Sequence, residues 1–89
     1  MRNEFDTVLK EELRVLAIQT RERLDLTQKE MSEELLMNET SYSDIETGKY
    51  KCGTLTAILL LLKQPDPTQA LQRFEQKFRA RYDKELHLV

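Results

Sequence analysis

The sequence predicts an all-α protein of five helices around one core. In 89 residues there are only two Gly and two Pro, and the helix formers Leu, Glu, Lys, Gln and Arg dominate. No long stretch alternates apolar and polar residues at the period of a strand. Apolar residues instead recur at helical spacing between recognisable caps. A chain of this length is expected to form a single domain over residues 1–89, with no separate ligand-sensing domain.

The first helix is expected from about Asp6 to Leu24, because Leu9, Leu13, Leu16, Thr20 and Leu24 share one face. The second runs from about Gln28 to Leu35. Thr27 is its N-cap and forms a capping box with Glu30, while Met31 and Leu35 point inward. Leu36-Met37 makes a tight link to Asn38, the N-cap of a third helix from Glu39 to Glu46 whose inner face is Tyr42 and Ile45. Thr47-Gly48 ends that helix, since Gly tolerates the left-handed conformation that follows a helix. The fourth spans about Leu55 to Lys63. Asp66 then caps a fifth, from Pro67 to about Lys84, with Ala70, Leu71, Phe74, Phe78 and Tyr82 along one face. The expected core is Leu13, Leu16, Met31, Leu35, Tyr42, Ile45, Leu55, Ile58, Leu59 and Leu62.

Several function classes fall away. The longest apolar run, Ala57 to Leu62, is far short of the ~20 residues that span a bilayer. The first six residues hold no apolar segment of the secretory kind, and the only cysteine, Cys52, has no partner for an intramolecular disulfide. A cytoplasmic setting is expected. His87 and Cys52 are too far apart in sequence to suggest a nucleophile and its base. No Gly-rich phosphate loop or metal-ligand spacing is present, so neither enzyme, metal nor cofactor is expected.

Two short helices joined by a tight turn, the second opened by a polar cap, suggest a helix-turn-helix at about 27–46. The stretch Arg21-Glu22-Arg23-Leu24-Asp25-Leu26-Thr27-Gln28-Lys29-Glu30-Met31 resembles the lambda-repressor-like (Cro/Xre) family, whose second helix opens with Leu-Thr-Gln. Further on, Ile45-Glu46-Thr47-Gly48-Lys49 is similar to the segment that closes that family's recognition helix. The resemblance covers about residues 13–62.

It implies a sequence-specific regulator, a repressor of phage or mobile-element type, that binds double-stranded DNA with its third helix in the major groove. Thr27 and Gln28 would sit at the DNA, with Gln28 bonding a phosphate and bracing the recognition helix. Asn38, Glu39, Thr40, Ser41, Ser43 and Asp44 would line the groove face, and Lys49 and Lys51 would touch phosphates. Arg21 and Glu46 would form the family's internal ion pair. Three features depart from the family: Leu36 and Asp25 stand where Gly is common, and Glu39 and Asp44 stand where Gln, Lys or Arg often occur.

The charge pattern keeps a second reading open. The chain carries a net −2, and residues 26–62 hold three lysines against six acids. Phosphate neutralisation supplies most non-specific DNA affinity, so an acidic reader also fits a protein-interaction regulator that has lost DNA binding. The apolar end of the fifth helix suggests a homodimer through Phe78, Tyr82 and Leu86. No membrane or small-molecule partner is implied.

Overall fold

In the computed structural model the described residues are 2–49 and 53–86, with side chains described for 7–49 and 53–80. They form five helices: α1 (Arg2–Arg23), α2 (Gln28–Glu34), α3 (Glu39–Glu46), α4 (Thr54–Leu62) and α5 (Pro67–Leu86), with no strand among the described residues. Leu13 and Ala17 of α1, Met31 and Leu35 from the α2 region, Tyr42 and Ile45 of α3 and Leu60 of α4 are the buried core. Leu9, Leu16, Leu26, Met37, Ala57, Leu59 and Phe74 pack against it.

The caps at helix starts form as their residues dictate. The Thr27 hydroxyl accepts from the Glu30 amide at 3.1 Å, and the Glu30 carboxylate accepts from the Thr27 amide at 2.9 Å. Asn38 Oδ1 accepts from the Ser41 amide at 2.8 Å, and Asp66 Oδ1 from the Gln69 amide at 3.1 Å. Each bond satisfies an amide that the first helical turn leaves without a partner.

The ends of α1, α2 and α3 share one geometry. After α1, the Leu26 amide returns to the Arg21 carbonyl at 3.0 Å and the Asp25 amide to that of Glu22 at 3.2 Å. After α2, Met37 returns to Ser32 at 3.0 Å and Leu36 to Glu33 at 3.1 Å; after α3, Lys49 returns to Asp44 at 2.9 Å and Gly48 to Ile45 at 3.2 Å. This doubly bonded ending needs a left-handed residue just past the cap. Those residues are Asp25 at φ 56°, Leu36 at φ 57° and Gly48 at φ 80°. The turn therefore keeps its shape although Leu36 and Asp25 replace glycine. Asp tolerates the region better than Leu, whose Cβ crowds the following carbonyl oxygen.

Helix α5 folds back antiparallel along α1. Leu16, Gln19, Ala70 and Phe74 line one cleft between them, and Val8, Glu12, Lys77 and Ala80 line another further along. Lys77 Nζ pairs with Glu12 at 3.5 Å across the contact. The rings of Phe74 and Phe78 stack at 6.3 Å, and both are half-buried.

The structure corrects several core assignments. Leu55, Ile58 and Leu62 are 59%, 50% and 69% exposed rather than buried. Helix α4 is apolar around nearly its whole circumference, so its sequence selects no inner face. Packing turns Leu60 and Ala57 inward, and the spacing of Leu55, Ile58 and Leu62 then sets them together on the opposite face. Leu60 and Ala17 are core residues that the expected list lacked. Leu16 and Leu59 are only partly buried. Leu24, expected on the inner stripe of α1, is exposed because the helix ends at Arg23. Leu71 is exposed as well: Ala70 and Phe74, four residues apart, take the row facing α1, and Leu71 is turned off it.

Leu36 is 72% exposed, so its side chain contributes little packing to offset its left-handed backbone. Leu36→Gly is expected to raise stability by about 1 kcal/mol, read as an increased melting temperature by circular dichroism. An unchanged or lower value would mean that the turn carries no such strain.

Candidate nucleic-acid interface

The site is built on the packing of α2 against α3, which fixes the exposed face of α3. Helix α3 is held at its C-terminal end by one residue, Glu46. Its side chain is 7% exposed and lies against Arg21, whose side chain is 24% exposed. Arg21 Nε donates to Glu46 Oε2 at 2.6 Å and Nη2 to Oε1 at 3.1 Å, a two-pronged pair. Arg21 Nη1 also donates to the Leu26 carbonyl at 3.2 Å. From α2, Gln28 Nε2 donates to Glu46 Oε1 at 3.0 Å. One carboxylate thus joins three helices.

Two further groups close this network. Arg14 Nη1 donates to the Glu46 backbone carbonyl at 3.2 Å, satisfying an acceptor that the helix end leaves open. Arg14 stands seven residues before Arg21, two helical turns earlier on the same face of α1, a spacing that could have signalled this role. The fully buried Tyr42 donates its hydroxyl to the Ala17 carbonyl at 3.3 Å and lies beside Glu46. A Cβ on Gly48 would meet the Arg14 Cδ at 3.7 Å, so space there is ordinary and the positive φ alone favours glycine.

The electrostatics follow from this packing. Burial opposes ionisation of Glu46, but hydrogen bonds from Arg21 and Gln28, with the polar Tyr42 hydroxyl nearby, outweigh it and hold the carboxyl below its ordinary value. Burial, and then the neighbouring Glu46 carboxylate, push the Tyr42 hydroxyl above its ordinary value. No buried side-chain polar atom among the described residues lacks a partner, which favours one arrangement of α3 over alternatives.

The outward surface of α3 is different in kind. Gln28, Glu39, Thr40, Ser43 and Asp44 line a shallow open groove. Glu39 and Thr40 are exposed; Ser43, Asp44 and Gln28 are half-buried. The side chains of Glu39 and Asp44 make no hydrogen bond or ion pair among the described residues. Thr27 is exposed but occupied by its cap, and the Asn38 side chain is occupied by the Ser41 amide. Ser41 lies off the groove. Lys49 is exposed in the turn after α3, and Lys51 lies outside the described residues. Gln28 commits one amide hydrogen to Glu46, which leaves its second one free.

Phe78 is half-buried within its own chain, and the side chains of Tyr82 and Leu86 lie outside the described residues. Among the described residues no group of His, Cys, Asp and Glu is placed to hold a metal, and no helix is long and apolar enough to cross a membrane.

Two short helices joined by a tight turn, the second clamped by its last residue and displaying a polar face, define a helix-turn-helix protein. Residues 18–63 match the Helix-turn-helix family, and the chain belongs to it, in the Cro/C1-type, lambda-repressor-like class of DNA-binding regulators. No curated protein and no solved structure matches the chain significantly.

Arg21→Met is expected to cost about 3 kcal/mol near neutral pH, because it leaves a buried carboxylate without its cation. The depressed value of Glu46 stabilises the fold above the unfolded carboxyl value of about 4.3. That contribution disappears as pH falls through the still lower folded value. In Arg21→Met the opposing effect of burial loses its main compensation, so protonation of Glu46 relieves the penalty and the stability deficit of the variant should shrink as pH falls below the carboxyl range. Thermal melts of both proteins across pH 2–8 check this, and superimposable curves would show that the pair does not stabilise the fold.

Proposed function

We propose that this protein is a sequence-specific repressor that lays α3 in the major groove of double-stranded DNA and acts by occupying an operator. The observation that carries the reading is the clamp at Glu46. It holds Gln28 of α2 beside the groove-lining residues Glu39, Thr40, Ser43 and Asp44, so that one rigid surface can meet a phosphate and base edges together. In this reading the second Gln28 amide hydrogen bonds a backbone phosphate. Thr27 and Asn38 approach the backbone at the helix starts, Ser41 lies at the edge of the contact, and Lys49 and Lys51 neutralise phosphates beyond α3.

One observation favours a second reading. The described groove face carries two carboxylates and no cation, which suits a basic protein partner. Mobility-shift titration of a random-sequence duplex across a range of salt separates the two. A DNA binder loses affinity steeply as salt rises. Lys49→Ala and Lys51→Ala should each flatten the log–log slope by about one unit and weaken all sequences alike. Absence of salt-sensitive binding to any duplex would favour the protein-interaction reading.

We further propose that two copies act together, because one acidic reading head has little phosphate attraction and a symmetric pair can read half-sites one helical turn apart. The sequence places the contact at Phe78, Tyr82 and Leu86. Since Phe78 is already stacked on Phe74, only part of its ring is available to a partner copy. Sedimentation at micromolar concentration should show a dimer that Phe78→Glu dissociates. A dimer that survives Phe78→Glu and yields to Ile58→Glu would move the interface to the exposed face of α4.

A further inference from the structure

Resting on the DNA-binding reading, we infer that Glu39 and Asp44 read cytosine, so that the operator half-site carries cytosines about two base-pair steps apart. Both carboxylates line the same groove and neither is neutralised by a described side chain. By contrast, Glu30 is bound to Thr27, Glu34 to Lys63 and Glu46 to Arg21. The two groove acids are therefore available acceptors on a face whose remaining groups are the hydroxyls of Thr40 and Ser43 and the amide of Gln28.

The chemistry of base edges selects the ligand. In the major groove guanine presents two acceptors, N7 and O6, which repel a carboxylate. Thymine offers an acceptor and a methyl group, and adenine places its N7 acceptor beside its amino donor. Cytosine presents only the N4 amino donor, the one edge that satisfies a carboxylate without an adjacent clash on the same base. The same negative charge repels phosphates, so these residues lower affinity for DNA in general and recover it where the amino group is present. That widens the gap between operator and random sequence in a protein with few cations on its reading head.

The spacing follows from the helix. Five residues separate Glu39 from Asp44, an axial rise of about 7.5 Å. Base pairs follow one another at about 3.4 Å, so a helix lying along the groove sets the two acceptors about two steps apart. Thr40 and Ser43 lie between them on the helical wheel and face the intervening pair.

The test is selection of bound sequences from a random duplex pool at low salt, with the full chain and with Glu39→Gln and Asp44→Asn. The wild-type consensus should contain two cytosines about two steps apart. Each amide can pair with the N6 and N7 of adenine. Each variant should therefore exchange cytosine for adenine at one position, with about a tenfold change in relative affinity. Both residues lie on the surface, and circular dichroism melts establish that the variants fold. A wild-type consensus without these cytosines, or variant consensus sequences identical to wild type, would overturn the assignment while leaving DNA binding intact. Failure of the wild-type protein to enrich any sequence or to bind in a salt-sensitive way would overturn the DNA reading itself.

Discussion

The Glu46 carboxylate is the interaction on which the geometry of this protein depends. A short helix such as α3 makes too few backbone bonds to be stable alone, and its orientation is set by what it packs on. Its inner residues Tyr42 and Ile45 supply the apolar contact, but apolar packing is non-directional and does not by itself specify a rotation about the helix axis. The directional constraint comes from Arg21 and Gln28, which approach the same carboxylate from α1 and α2. Arg14 adds a bond to the carbonyl of the same residue. Position and rotation of α3 are thereby defined at its C-terminal end, while Asn38 defines its start.

The connections between helices show how little loop this architecture needs. Three successive helices end with the same paired bonds, so the chain reverses within a few residues each time. The left-handed residue that this requires is glycine only at the end of α3. At Asp25 and Leu36 the bonded ending and the burial of the following residues, Leu26 and Met37, hold an L-residue in a region it rarely adopts. The short α2-to-α3 connection is therefore maintained by tertiary packing against local preference.

The acids of the helix-turn-helix are not equivalent. Glu46 is consumed inside the fold, Glu30 completes a capping box, and Glu34 meets Lys63 at 2.6 Å. Glu39 and Asp44 remain on the outward groove. The net charge of the segment thus overstates the negative potential of the outward face of α3, because Glu46 and Glu34 are neutralised by Arg21 and Lys63. A count of charges along the chain cannot make that separation; the partners of each carboxylate can.

Much of the fold was legible in the chain because its signals are local. Caps at Thr27, Asn38 and Asp66, the stop at Gly48 and the apolar period of α1 act over a few residues, so the sequence by itself determined the helices and their order, and the inner faces of α2 and α3. The helix-turn-helix pattern was legible for the same reason, whereas the pairing of Arg21 with Glu46 was implied only by the family resemblance. What only the tertiary structure decided are the features that arise between elements. Helix α4 is apolar on every side, and packing alone chose Leu60 over Leu55, Ile58 and Leu62 for the core. The fold-back of α5, which half-buries Phe74 and Phe78, depends on a face of α1 that no local signal identifies. The convergence of Arg14, Arg21, Gln28 and Tyr42 on Glu46 likewise exists only once three helices are brought together, because side chains distant in sequence acquire a common partner through packing.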